Sequence, residues 1–314
     1  MTLPTSLAES QATQPGIDPL PGIIHFGSIN ILAGSSGVGK TCLLAWLLTR
    51  FRDGLPLFGR PVNTPAKIGY ISADRGGASA RYWFVKAGYG TIPMYSFADD
   101  PQFAPTRLRN KLQLISVLDK AIDMLELPPR SLLAVDPIAL FFGNLNDYHT
   151  CAVACLEIRR LCTAKQITLI GLAHASKQKA DKHDRYERLQ DRINGSSAQL
   201  GYGDTQMYLA SPQETGQKHY TFMWHPHTAP AEEFPLGRDA EGMFVPWATS
   251  IAAQQENEVY AAIPADQSII PLATIIGLCT GISHATIFRR LKELTTEGLI
   301  EKAAEGQYRR AQVN

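Results

Sequence analysis

Between residues 23 and 175 the chain alternates short apolar runs of β type with longer runs of helical period. The β-type runs are IHFGSINILAG, AKIGYISAD, SLLAVDPIAL and ITLIGLAHAS. The helical ones are KTCLLAWLLTRF, ASARYWFVKAG, RLRNKLQLISVLDKAIDMLEL and TCAVACLEIRRLCTAKQ. Strand followed by helix, repeated, predicts an α/β domain whose parallel sheet is covered on both faces. After residue 192 the texture changes to MYLAS, KHYTFMWHPH and GMFVPWAT, separated by Pro, Gly and polar clusters. These runs fit antiparallel strands at one edge of the sheet, and no helix is expected among them. From residue 268 a compact helical pattern returns. The expected layout is a flexible leader over 1–22, an α/β domain over 23–250, a linker or first helix over 251–267, and a small domain over 268–314.

One loop in this pattern carries chemistry. Residues 34–41, GSSGVGKT, satisfy G-x-x-x-x-G-K-T between an apolar strand and a helix. Glycines let such a backbone curl with its N–H groups inward, and the following helix adds the positive end of its dipole, so the natural guest is a phosphate. Gly34, Ser35, Ser36, Gly37, Val38, Gly39, Lys40, Thr41 and Cys42 are the candidate contacts. Lys40 reaches the β and γ phosphates and Thr41 holds Mg²⁺ through its hydroxyl. The apolar run LLAVD, about a hundred residues on, ends in Asp136. An acid at the end of a buried strand suits the water shell of that Mg²⁺ beside Thr41. ATP with Mg²⁺ is the ligand these residues imply.

Composition narrows the partners. Thirty Lys and Arg against 29 Asp and Glu leave a net charge of +1, so no global field favours nucleic acid or membrane and any basic site must be local. The five cysteines form no C-x-x-C pair, and Cys151, Cys155 and Cys162 fall on a helical apolar stripe. His149 beside Cys151 and Cys155 raises a metal site, but free cysteine behaves as a small buried hydrophobe, and the core reading is the better one. The first residues lack a basic start and an apolar segment, and no run of about 18 apolar residues follows. A cytoplasmic protein is expected.

The stretches AGSSGVGKT, YISADRGGASARYWFVKAG, LLAVDPIALFFG, LIGLAHASKQ and RINGSSAQLGYGDTQMYL stand in the order seen in RecA-like ATPases. Over residues 22–245 the chain most resembles the RepA-type hexameric replicative helicases of plasmids and phages. The resemblance implies a RecA-like ATPase domain, a hexameric ring with ATP between subunits, and single-stranded DNA as partner. It places Asp74 where the family carries a water-activating Glu, one methylene longer. Arg81 matches an arginine near the nucleotide, and His174 matches the polar residue that senses the γ-phosphate. The family's arginine finger has no clear counterpart, because Asp204 stands near one of its usual places and His225 and His227 near the other. Arg192, Lys218 or Arg238 would then have to serve.

Two further segments bear on DNA. Residues 177–192 hold six basic and four acidic side chains, a balance of +2, with Lys177, Lys179, Lys182 and Arg185 as candidate backbone contacts in a channel loop. In the tail, a helix PLATIIGLCT, a turn GIS, a Ser283-capped helix and a hairpin LIEKAAEGQYRRA resemble a winged helix-turn-helix. Its stripe Ile287, Leu291 and Leu294 is expected inward, with His284, Thr286, Arg289 and Arg290 outward. Residues 253–314 carry six basic against seven acidic groups, so duplex DNA and a replication protein both remain open as partners. The implied activity is a ring-forming helicase or helicase-like ATPase. The alternative is a non-motor protein that uses ATP as a switch for DNA or partner binding.

Overall fold

The computed structural model describes residues 18–100, 111–142, 148–175, 203–247, 258–264, 266, 268–296 and 300–310. The first strand, β1 (Ile29–Gly34), is followed by α1 (Lys40–Asp53), β2 (Ile68–Ser72), α2 (Gly77–Lys86) and β3 (Met94–Ser96). Then come α3 (Lys111–Met124), β4 (Leu132–Asp136), a 3-10 turn (Ile138–Phe142), α4 (Tyr148–Lys165) and β5 (Thr168–His174). The edge is built by β6 (Thr205–Ala210), α5 (Pro212–Thr215), β7 (Tyr220–Pro226), β8 (Glu232–Arg238) and β9 (Phe244–Pro246).

These strands form one sheet in the order β3-β2-β4-β5-β1-β6-β7-β8-β9. Every residue of β1 and β2 is buried, as expected of parallel strands covered on both faces. Ile29, Ile31 and Ala33 share a core with Leu118, Ile122, Cys151, Cys155, Ile158 and Cys162 of α3 and α4. The cysteines therefore pack as hydrophobes, and all five are free and buried. Among the described residues no cluster of His, Cys, Asp and Glu could hold a metal, and no helix is long and apolar enough to cross a membrane.

The edge corrects the sequence reading in three places. MYLAS was expected to be antiparallel, yet β6 runs parallel to β1 and only its other neighbour, β7, is antiparallel. The connection from β5 is long enough for a crossover, which restores the strand direction. Strand β8 was not expected, because Pro235 interrupts its apolar pattern. A one-turn helix, α5, also stands where none was expected, started by a reciprocal cap between Ser211 and Glu214. Under this edge Phe58 stacks on Phe234 at 4.1 Å and meets Trp224 edge-on at 5.2 Å.

The chain forms two compact units, Met1–Pro235 and Leu236–Asn314, divided inside β8. The boundary expected near residue 251 lies outside the described residues. Within the second unit, residues 258–261 are helical, and β10 (Ile270–Pro271), α6 (Leu272–Leu278), α7 (His284–Thr296), β11 (Ile300–Ala304) and β12 (Gln307–Arg310) follow. Its sheet runs β10-β12-β11. Ile275, Ile282, Ile287, Leu291, Leu294 and Ile300 make its core, and Ser283 Oγ accepts the Thr286 N–H at the start of α7.

Arg290 departs from the expected outward face. It is 4% exposed and donates to Glu293 at 2.7 Å. Position 290 lies three residues after Ile287 and four before Leu294, so helical geometry puts it on the buried stripe. Arg289 and His284 do face solvent, and Thr286 is half-buried.

Candidate nucleotide site

The parallel register brings the candidate groups to one edge of the sheet. Gly34 is level with His174 of β5 and with Leu209 of β6, while Ser72 of β2 is level with Asp136 of β4. Ligands of open α/β sheets bind at this carboxyl end of the strands. A side chain at Gly34 would place its Cβ 2.7 Å from the Leu209 carbonyl oxygen, so the loop needs glycine there. Gly37 and Gly39 take left-handed φ of 78° and 106°, a region that other residues enter at a cost. Helix α1 starts on Gly39 with no side-chain cap, which leaves the first-turn N–H groups turned toward the loop.

Lys40 folds back into this loop. Its Nζ donates to the Gly34 and Ser35 carbonyls at 2.8 and 2.9 Å and lies 3.4 Å from His174 Nδ1. Only 8% exposed, the ammonium is brought down to about 8 chiefly by desolvation, against the attraction of Asp136 and Glu214. His174 is lowered as well, by burial first and then by the Lys40 charge. The pair therefore fits a protonated lysine facing a neutral imidazole near pH 7.

Thr41 and Asp136 meet directly. Thr41 Oγ1 donates to Asp136 Oδ2 at 2.7 Å, and the Tyr70 hydroxyl donates to the same oxygen at 3.2 Å. Hydroxyl and carboxylate side by side are hard oxygen donors, the set that suits Mg²⁺ through its retained waters. The Asp136 carbonyl accepts the Ala73 N–H at 2.7 Å, which fixes the end of β2 beside it. One residue further on, Asp74 leans into solvent with its side chain 51% exposed and Arg75 Nε at 3.8 Å. Its carboxyl is raised, mainly by partial burial and next by the Asp136 charge.

Lys40, Thr41, Asp136 and His174 are thus gathered, with Asp74 at the rim. Arg81 is committed elsewhere: its guanidinium donates to the Gly90 and Ile92 carbonyls and holds the turn after α2. Lys177, Lys179, Lys182 and Arg185 lie outside the described residues. Asp204 sits at the far end of β6, where it accepts the Ile29 N–H and two bonds from Arg159. It ties β1 to α4 at the edge opposite the phosphate loop. Two neighbours of the site were missed. Tyr70 gave no signal, since only the register shows that its hydroxyl meets Asp136. Glu214, which attracts Lys40, was legible as the last residue of the capping box S-P-Q-E.

Comparison with curated proteins gives no match. Among solved structures, an ATPase domain aligns with a TM-score of 0.50 at 13% identity, over 76% of this chain and 95% of that one. The KaiC-like protein PH0186 of the hyperthermophilic archaeon Pyrococcus horikoshii OT3 aligns with a TM-score of 0.44 at 10% identity, over 71% and 91%. The first likeness supports the RecA-like arrangement of the sheet. The AAA domain family matches residues 2–180, which span the phosphate loop and all four gathered side chains. With more than half of its length in that match, the chain belongs to the AAA domain family.

Proposed function

We propose that the protein is a Mg²⁺-dependent ATPase that works as a ring-forming DNA motor, a helicase or helicase-like enzyme. The observation that carries the ATPase is the meeting of Lys40, Thr41 and Asp136 at the ends of adjacent parallel strands. The amides of residues 35–41 would hold the phosphates, and Thr41 with Asp136 would hold the metal. When bound, Mg-ATP supplies an activated terminal phosphoryl group. The chain's part is positioning and charge. Lys40, already desolvated, exchanges two carbonyl partners for phosphate oxygens. Tyr70 and Thr41 orient the Asp136 carboxylate, and Asp74 is placed to orient water.

Support for the motor comes from the resemblance to RepA-type helicases and from the fold shared with the solved helicase ATPase domain. The winged helix-turn-helix reading of residues 268–314 is supported by two helices, a turn at Gly281 and a hairpin in that order. Arg289 is exposed on its second helix. Steady-state hydrolysis with and without single-stranded DNA, at two salt concentrations, tests the reading. Stimulation that fades as salt rises is expected of a backbone-gripping motor. Tight nucleotide binding with flat, near-zero turnover would replace it with the ATP-switch reading. One observation favours that second reading: Asp74 is short and half in solvent, and Arg238 stacks on Phe244 and donates to Gly242 rather than standing ready as a finger.

A further inference from the structure

Arg75 is absorbed by none of the roles above, yet it is held at the mouth of the site. Its carbonyl accepts the hydroxyls of Ser72 at 2.7 Å and Ser96 at 3.0 Å. Both strand ends, β2 and β3, therefore grip its main chain. Residues 73 and 74, which lead to it, are fixed in turn by the Ala73 bond to Asp136. A backbone pinned in this way gives a long side chain a defined origin. The guanidinium itself remains half in water, 55% exposed, with a loose 3.8 Å approach to Asp74 among the described residues. Five donors in a planar fork are then available for an incoming anion.

The charges around it point to what that anion is. Arg75 acts on Lys40 and His174, disfavouring the charged form of each, and on Asp74 and Tyr70 with the opposite sign. Two cations of one chain thus face the same loop. Their mutual repulsion is relieved by a multiply charged anion between them. Asp74 at the rim has the wrong sign for a terminal phosphate, and Arg75 beside it offsets that repulsion.

We infer that Arg75 is a phosphate-contacting residue supplied in cis, which reads the terminal phosphate of the nucleotide and distinguishes a triphosphate from a diphosphate. The inference rests on the nucleotide-site reading above. It gives the site a cation of its own where the finger from a neighbour has no clear candidate. Because the side chain emerges past Asp136 rather than from the phosphate loop, it engages the end of the phosphate chain and leaves the diphosphate portion to residues 34–41.

The test is calorimetric binding of ATPγS and of ADP, with Mg²⁺, to the full-length protein and to Arg75→Gln and Arg75→Lys. Loss of a charged hydrogen bond lowers affinity about tenfold or more. The expected result is such a loss for ATPγS in Arg75→Gln, with ADP affinity changed by less than about twofold. Arg75→Lys should recover part of the loss, since charge is retained without the fork. Thermal melting should be unchanged in both variants, which separates the effect from misfolding. Equal losses for both nucleotides, or no loss for either, would overturn the inference while leaving the site reading intact. Wild-type protein that binds neither nucleotide overturns the site reading, and this inference with it.

Discussion

Lys40 shows how function is set against stability at a single residue. Its ammonium is desolvated down to about 8, below the 10.5 of the unfolded chain, so the folded state disfavours its charge. The penalty is fully present below pH 8. It is relieved between pH 8 and 10.5, where the unfolded chain still binds the proton and the folded one does not. Lys40→Met should therefore melt higher than wild type at pH 7, by up to about 2 kcal/mol of stability. The difference should vanish as pH approaches 10.5, and melts across that range check the sign. The same variant, and Lys40→Ala, should lose ATP hydrolysis with the fold intact; unchanged turnover would sink the site assignment. Asp136→Asn tests the metal. The hydroxyls of Thr41 and Tyr70 keep an acceptor, so stability should change little, while the gain in ATP affinity on adding Mg²⁺ should fall by about tenfold or more.

At the level of elements, the close approach of β1 to β6 and the aromatic edge are the parts most exposed to substitution. Gly34→Ala would set a methyl 2.7 Å from the Leu209 carbonyl. Overlap of that kind costs about 1–3 kcal/mol, and denaturant unfolding should show it together with weakened nucleotide binding, because β1 carries the loop. Phe222 is fully buried on β7 beside Phe58 and Trp224, so Phe222→Ala should cost about 3–5 kcal/mol. Its effect on nucleotide affinity should be small by comparison, since Phe222 touches none of the loop residues described above. Helix α7 teaches a different lesson. Its apolar stripe was read correctly from Ile287, Leu291 and Leu294, yet Arg290 lies within the same stripe and is satisfied there by Glu293. A charged residue on an apolar face is resolved by its local partner, which spacing alone does not reveal.

For the whole molecule, the decisive quantity is assembly. A finger supplied in trans requires a neighbouring subunit, so mass measured with and without nucleotide should show a larger species with nucleotide if the ring reading holds. A monomer under both conditions would favour the switch. The sequence by itself determined the alternation of strands and helices, the phosphate loop and the acid that ends β4, because each is a local pattern with its own physical signature. It also determined that the cysteines of α4 pack in a core. Only the tertiary structure decided which strands are neighbours, and hence that Thr41, Tyr70 and Asp136 share one hydrogen-bonded point, that Asp204 clasps β1 at the opposite edge, and that Arg81 serves a turn. Strand order and register come from packing between segments far apart in the chain. The identity of a polar residue does not encode which distant partner the sheet will bring to it.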